Sequence, residues 1–253
     1  MCSLRAQQRC QAEHNTCTHL RRARFNERSN MFKQLDNVLS GADLAHVHSV
    51  LNEVNFEDGA ATAGAAARKV KHNLQASTGS TNLDALNRLV LEALLRHDAL
   101  RLYAMPLRFL PPIFSRYEPG MQYGVHIDNA IMGRQPAVRT DVAVTLFLTP
   151  PEQYDGGELI IGVEPNAPRL KLMAGSAVAY PATALHRVAE VSRGRRTAAV
   201  TWLQSAVRDS QQRETIADLA VALRFMRESA PQALETELIA RTRANLIRMW
   251  ADV

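Results

Sequence analysis

The sequence predicts an α+β fold with a mainly β core, in which short antiparallel strands form a double-stranded β-helix, or jelly roll. The first observation is the apolar periodicity, which is helical before Leu107 and approaches two after it. The second is the regular spacing of turn residues, such as Pro150-Pro151 and Asp155-Gly156-Gly157. We expect strands at 121–128, 139–148, 157–162, 169–173, 176–180, 184–190 and 195–205.

Helices are predicted on both sides of this β region. Ser40 and Asp43 form a capping-box pattern at the start of one helix, and a second helix begins at Asn82. Residues 209–253 carry two amphipathic stripes, with Pro231 suited to the first turn of the second helix. We expect these stripes to pack against the β core, the alternative being a homodimer or partner surface.

The stretch from Phe56 to Asn73 is rich in glycine, alanine and threonine, and it has a basic end. No clear period runs through it, so we expect a loop. Long loops without regular elements are often functional, and an active-site lid is therefore the alternative interpretation.

The amino-terminal residues 1–30 differ from the rest of the 253-residue chain. They hold all three cysteines, and their six arginines against two glutamates supply four of the five formal positive charges. We expect a disordered basic extension, followed by a helical flank (31–106), a catalytic core (107–208) and a helical segment (209–253). Because the basic excess lies in a tail, the composition does not favour a nucleic-acid partner.

Two further functional classes are disfavoured. No apolar run approaches the roughly 20 residues of a membrane span, so we expect no membrane partner. The body from residue 31 onwards contains no cysteine, which is compatible with a cytoplasmic location.

The chemistry concentrates in YEPGMQYGVHIDN, residues 117–129. In a strand, His126 and Asp128 would point to the same face and Ile127 to the opposite layer. A second histidine, His186, follows in YPATALHRV. Two imidazoles and a carboxylate form a facial triad that suits iron or manganese better than a structural zinc ion. Taken alone, a histidine is more often an exposed or hydrogen-bonded core residue than a metal ligand.

The motifs as an ordered set resemble the PKHD-type hydroxylases, which are Fe(II)- and 2-oxoglutarate-dependent dioxygenases related to prolyl 4-hydroxylases. The matching stretches are RYEPGMQYGVHIDNAI (116–131), RTDVAVTLFLTPPEQYDGGELII (139–161) and LKLMAGSAVAYPATALHRVAEVSRGRRTAAVTWLQSAVRD (170–209). Weaker similarity extends over Met31–Phe114 and the helical tail.

The resemblance assigns roles to individual residues. It implies that His126, Asp128 and His186 are the iron ligands, and that Arg196 binds the distal carboxylate of 2-oxoglutarate. A guanidinium group suits that task because it can form two parallel bonds to a carboxylate. For Tyr117, a hydrogen bond to 2-oxoglutarate and simple core packing are both open interpretations.

Two neighbouring arginines, Arg193 and Arg195, are alternative candidates for binding the distal carboxylate. If 195–204 is a strand, Arg195 points to the opposite face, whereas Arg193 precedes Gly194 and belongs to a turn. We therefore expect both to be solvated surface residues. The side chains expected at the rim of the site are Asn129, Met132, Arg134, Arg139 and Tyr154, with substrate contact or a loop position as the alternatives.

The resemblance implies hydroxylation of an unactivated C–H bond, with 2-oxoglutarate and O2 consumed, succinate and CO2 released, and ascorbate supporting the iron. The substrate implied is a peptidyl proline or lysine, or else a small molecule, and members of the family have been linked to iron homeostasis. The competing class is a non-catalytic module that senses iron or 2-oxoglutarate.

Overall fold

The computed structural model describes residues 32–62, 68–77, 81–133 and 136–253. The expected amino-terminal extension and Arg134 lie outside these ranges. The described part has five α-helices: α1 (Gly41–Glu53), α2 (Thr81–Arg96), α3 (Asp98–Ala104), α4 (Ser210–Ser229) and α5 (Leu234–Trp250). No described helix has the length and apolarity needed to cross a membrane.

Seventeen strands occur in the described residues, in chain order. They are β1 (Lys33–Leu35), β2 (Phe56–Asp58), β3 (Lys71–His72), β4 (Leu74–Ala76), β5 (Pro106–Phe109), β6 (Ile113–Tyr117), β7 (Gln122–His126), β8 (Ile131–Met132), β9 (Val138–Arg139), β10 (Val142–Phe147), β11 (Tyr154–Gly156), β12 (Leu159–Ile161), β13 (Arg169–Leu170), β14 (Ala177–Pro181), β15 (His186–Val188), β16 (Val191–Gly194) and β17 (Arg196–Ser205). All described pairings are antiparallel.

Two main sheets organise the molecule. The larger has the order β1-β14-β10-β17-β6-β4-β2, with β5 also paired to β17, and the smaller has the order β13-β12-β15-β7-β3. The prediction of mostly antiparallel sheets with flanking helices is confirmed, but the strands of the described residues form separate sheets and no closed barrel.

One apolar cluster joins the two sheets. Tyr117, Phe147 and Tyr180 of the larger sheet share it with Leu159 and Val188 of the smaller one. A second cluster packs α1, α2 and α3 against other residues of the larger sheet. The helices therefore support the larger sheet, while the space between the sheets is left for a site.

The start of α1 confirms the sequence prediction. The Ser40 hydroxyl accepts a hydrogen bond from the Asp43 backbone amide, and the Asp43 carboxylate accepts one from the Ser40 amide. These reciprocal bonds satisfy amides that have no partner inside the helix. The start of α5 differs from the prediction, because Pro231 lies in the preceding turn and the helix begins at Leu234.

The Phe56–Asn73 stretch also differs from the predicted loop. It contains β2 and β3, and β4 follows directly after it. Strand β3 pairs with β7 of the smaller sheet, whereas β4 pairs with β6 of the larger one. The segment expected to be a helical flank therefore also forms part of both sheets. Strand β3 is an edge strand of the smaller sheet, and β4 lies between β6 and β2 in the larger one.

The carboxyl terminus returns to the β core. Val207 forms an isolated bridge with Ala251, and Ile216 and Leu223 of α4 are buried. The same helix leaves Val221 and Phe225 exposed. The helical tail thus packs on the body along one face while a second apolar face stays open to solvent.

Candidate active site

A pocket of about 120 Å³ lies between the two sheets. The smaller sheet contributes His126 and His186 to its wall, and the larger sheet contributes Tyr117 and Arg196. Asp128, which follows β7, lines the same pocket. The structure thus brings all five sequence-predicted site residues together, although they span 80 positions of the chain.

The two histidines meet because β7 and β15 are neighbours. His126 is directly opposite His186 in the antiparallel register, and their ring centroids are 4.2 Å apart. One donor atom each from His126, Asp128 and His186 lies within 4.8 Å of the other two. The His186 Nε2 atom is 3.8 Å from the Asp128 Oδ2 atom.

Backbone carbonyls orient both imidazole rings. His126 Nδ1 is 2.9 Å from the Gly124 oxygen, and His186 Nδ1 is 3.0 Å from the Ala184 oxygen. A carbonyl only accepts, so each Nδ1 carries a proton, which leaves Nε2 as the ring nitrogen that can bind a metal. Hydrogen bonds of this kind are the usual means of fixing the tautomer of a metal-binding histidine.

The surroundings keep His126 neutral. Burial, together with the nearby His186, lowers the pKa of His126 to about 3. The Tyr123 ring stacks on His126 with centroids 3.6 Å apart and an angle of 13° between the planes. The His126 imidazole is therefore available as a neutral donor throughout the physiological pH range.

Asp128 is placed differently from the prediction. Strand β7 ends at His126, and Ile127 is 54% exposed instead of turning into an opposite buried layer. The chain leaves the sheet here, so strand alternation does not orient Asp128. Its side chain is nevertheless buried, and Oδ2 has no hydrogen-bond partner among the described residues.

Opposing effects act on the pKa of the Asp128 carboxyl. Burial raises its pKa, whereas His186 and the Trp202 indole act in the opposite direction. A bound cation would offset the cost of burying the ionised carboxylate, and it would give the unpaired oxygen a partner. Two imidazole nitrogens and one carboxylate oxygen are a donor set that fits Fe(II) or Mn(II).

Arg196 lies at the other end of the pocket wall and is 1% exposed. Its guanidinium carbon is 5.2 Å from the Tyr117 ring centroid and 5.4 Å from that of Phe147. The Nε atom is buried without a hydrogen-bond partner, and no described carboxylate forms an ion pair with Arg196. A buried cation without a counter-ion is costly, so the pocket is suited to an anionic ligand.

Tyr117 faces Arg196 across the strand pair β6–β17, where the two residues are register partners. The tyrosine is almost fully buried. Burial raises its pKa, an effect opposed by the nearby Arg196 and by the Asn73 amide. Its hydroxyl is therefore a neutral hydrogen-bonding group inside the pocket.

The two alternative arginines occupy the surface. Arg193 forms a salt bridge with Asp155, with 2.6 Å between Nε and Oδ2, and Arg195 pairs with Glu118 at 3.3 Å. Both arginine side chains are more than half exposed. The expectation that both are surface residues is confirmed. The reasons differ from the prediction, because Arg193 lies in β16 and not in a turn, and β17 begins only at Arg196.

Two of the expected rim residues have structural positions instead. Tyr154 is buried, and Arg196 lies near enough to oppose the rise in the tyrosine pKa that burial causes. Arg139 binds Asp141 at 2.8 Å and Asp252 at 3.0 Å, which ties the carboxyl terminus to β9. Asn129 and Met132 do line the pocket.

Sequence reasoning missed one wall of the pocket. Lys71 of β3, Asn73 between the two strands and Gln75 of β4 line it, and the first two belong to the Phe56–Asn73 stretch that was expected to be a loop. The signal in the sequence was the alternation of polar side chains at positions 71, 73 and 75, which is typical of a strand with one polar face.

Comparison with known proteins agrees with this geometry. The family model described as the 2OG-Fe(II) oxygenase superfamily matches residues 112–204. A PKHD-type hydroxylase of Hyphomonas neptunium is 44% identical over 221 residues, which are 87% of this chain and 99% of that protein. A PKHD-type hydroxylase of Parvibaculum lavamentivorans is 45% identical over 224 residues, covering 88% of this chain and 100% of that protein.

Among solved structures, a prolyl hydroxylase from Trichoplax adhaerens, in complex with a peptide fragment of the hypoxia inducible factor oxygen degradation domain, is similar in fold. The TM-score is 0.51 at 18% identity, over 74% of this chain and 87% of that one. With the extensive matches to curated relatives, the chain belongs to the PKHD-type hydroxylases, a family of 2-oxoglutarate-dependent dioxygenases.

Proposed function

We propose that His126, Asp128 and His186 hold Fe(II), and that Arg196 binds the distal carboxylate of 2-oxoglutarate, in an enzyme that hydroxylates an unactivated C–H bond. The observation that carries the proposal is the buried, unpaired Arg196 in the same pocket as the three converging donors. When bound, Fe(II) and 2-oxoglutarate supply the oxidising chemistry, with O2 consumed and succinate and CO2 released.

The protein's own residues perform three tasks in this proposal. The Gly124 and Ala184 carbonyls hold the imidazole rings in one tautomer, so no reorganisation is needed for metal binding. Arg196 and Tyr117 orient the cosubstrate, with the guanidinium binding the carboxylate and the hydroxyl donating to it. The apolar cluster between the sheets excludes bulk water and thereby protects reactive species from side reactions.

The substrate is proposed to be a peptidyl proline or lysine, or a small molecule of similar size. The support is the rim beside the three donors, where Ile127 exposes an apolar side chain and Asn129 adds a polar one. Such a mixed rim suits a side chain presented from outside the pocket. Ascorbate is proposed to return the metal to Fe(II) after turnovers without substrate.

Succinate formation tests the proposal. Anaerobic protein is loaded with Fe(II) and 2-oxoglutarate, O2 is admitted without a further substrate, and succinate is quantified for the original chain and for Arg196→Ala. We expect the 2-oxoglutarate concentration for half-maximal succinate formation to rise tenfold or more in the variant, with Fe(II) binding retained. Arg193→Ala, which removes an exposed arginine, is the matched control and should behave as the original chain does.

An unchanged requirement for 2-oxoglutarate in Arg196→Ala would place the cosubstrate elsewhere. The absence of succinate from protein that binds both Fe(II) and 2-oxoglutarate would instead favour the sensor alternative. These two outcomes separate the anchor assignment from the assignment of catalysis.

Metal binding is tested independently with Mn(II). Titration of His186→Ala, followed by the electron paramagnetic resonance signal of free Mn(II), should show loss of the tight site because one of three donors is gone. His46→Ala removes an exposed histidine of α1 and should leave the titration unchanged. Equal binding by the two variants would refute the proposed ligands.

A further inference from the structure

Asn73 lies where the chain crosses between the two sheets. Strand β3 ends one residue before it and pairs with β7, while β4 starts one residue after it and pairs with β6. The side chains of positions 71, 73 and 75 line the pocket between these sheets. Asn73 is thus at the centre of a polar wall that none of the roles proposed above uses.

The Asn73 amide is buried without a partner. The residue is 1% exposed, and neither Nδ2 nor Oδ1 has a hydrogen bond among the described residues. Buried polar groups in folded proteins are almost always satisfied, by protein, by ordered water or by a ligand. An amide at this position, lining a ligand pocket, therefore calls for a partner inside the pocket.

The neighbours of Asn73 indicate which partner it takes. Its amide is close enough to Tyr117 to oppose the rise of that pKa caused by burial, although the two groups do not have hydrogen-bond geometry. Tyr117 in turn faces Arg196. The amide nitrogen, the phenol and the guanidinium are all hydrogen-bond donors around one region, which is a set that suits a carboxylate.

Gly59 provides the space for this amide. A Cβ atom added at Gly59 would collide with Asn73 Oδ1 and would be 3.0 Å from Gln75 Cγ. The Gly59 backbone amide also donates a 2.9 Å hydrogen bond to the Asn73 carbonyl. The glycine thus allows the backbone at residue 59 to approach Asn73 closely and determines where the amide lies.

We propose that Asn73, positioned by Gly59, is a further cosubstrate-binding residue, whose side-chain amide donates to the distal carboxylate of 2-oxoglutarate beside Tyr117 and Arg196. This inference rests on the proposed function. It adds a neutral donor to the anchor, so that the cosubstrate carboxylate is held by one charged group and by two uncharged ones.

Direct binding tests the assignment without turnover. Protein loaded with Mn(II) is titrated by calorimetry with 2-oxoglutarate and with 2-oxobutyrate, which keeps the keto acid but lacks the distal carboxylate. We expect Asn73→Ala to weaken 2-oxoglutarate binding about tenfold or more and to leave 2-oxobutyrate and Mn(II) binding nearly unchanged. Asn166→Ala, at an exposed turn position, is the matched control.

A second variant reaches the same amide indirectly. Gly59→Ala adds one methyl group that displaces Asn73, and we expect the same selective loss of 2-oxoglutarate affinity. Gly41→Ala is its control, because an added Cβ at Gly41 meets no atom within 4 Å. If Asn73→Ala does not fold, as shown by its thermal unfolding curve, the Gly59 pair still decides the question.

The outcomes distinguish the role of Asn73 from the proposed function. Unchanged 2-oxoglutarate affinity in both variants would overturn the role of Asn73 and leave the proposed function intact. Equal weakening for both keto acids would overturn the assignment to the distal carboxylate. Failure of the original chain to bind 2-oxoglutarate would overturn the proposed function itself.

Discussion

The partly buried charge of Lys71, a residue of the pocket, lowers the free energy of unfolding. Burial lowers its pKa to about 8, although Asp58 and Asp128 favour the charged form. The pKa in the unfolded chain is near 10.5. Below pH 8 the folded protein must therefore hold a partly desolvated charge that the unfolded chain keeps in water, and this cost disappears as the pH rises through 10.5.

Lys71→Met should accordingly stabilise the protein. At pH 7 we expect the free energy of unfolding to rise by about 1–2 kcal/mol, after allowance for solvent screening of this partly exposed group. The difference from the original chain should shrink between pH 8 and 10.5. Urea unfolding over that pH range measures it, with Lys69→Met as the exposed control; a constant difference would contradict the explanation.

Trp202 is a second residue whose role depends on its surroundings. Its Nε1 is buried without a hydrogen-bond partner among the described residues, yet the indole lies near enough to Asp128 to lower the pKa of that carboxyl against the effect of burial. Trp202→Phe removes that donor, so we expect Mn(II) affinity to fall by about tenfold, as is typical for groups that orient a metal ligand. Trp250→Phe, in α5, is the control, and equal Mn(II) affinity in the two variants would exclude the indole from the site.

At the scale of single elements, the start of α1 can be tested alone. Ser40→Ala removes the side-chain partner of the Asp43 amide, and we expect a loss of about 1 kcal/mol in the free energy of unfolding. Ser49→Ala, at an exposed position inside the same helix, should cause no such loss, because alanine favours helix interiors. Unfolding in urea compares the two, and equal effects would rule out capping as the cause.

The strands show where element prediction succeeds and where it fails. Strand β10 is apolar except for Thr145, and all its residues are buried, so its composition identified it within the predicted strand 139–148. The β3 and β4 strands are two and three residues long. Such short segments have weak intrinsic preference, and pairing with neighbouring strands stabilises them: β3 pairs with β7, and β4 pairs with β6 and β2.

At the scale of the whole molecule, the amino-terminal extension is proposed to be dispensable. The residues that line the pocket run from Lys71 to Trp202, and the first described strand, β1, starts at Lys33. We expect a variant without residues 1–30 to form succinate as the full chain does.

A longer deletion provides the control. Removing residues 1–40 also removes β1, which pairs with β14, together with the buried Leu35 and the Ser40 cap. We expect this variant to unfold at a temperature lower by several degrees. Loss of activity in the shorter deletion, with an unchanged unfolding temperature, would show that the extension takes part in function.

The sequence by itself determined the class of the protein. Residue type and spacing singled out the His126–Asp128 pair and His186 as candidates, and the resemblance to the PKHD-type hydroxylases gave these residues and Arg196 their roles. The capping box follows from local geometry. These properties depend on near neighbours in the chain, so the sequence displays them directly.

Only the tertiary structure decided the environment of these groups. The unpaired Arg196, the unsatisfied Asn73 amide and the burial of Asp128 outside its strand arise from contacts between segments far apart in the chain. Desolvation and hydrogen-bond satisfaction depend on everything that surrounds a group in space. The chemistry of the residues is therefore local, whereas the pocket that makes this chemistry available exists only once the two sheets face each other.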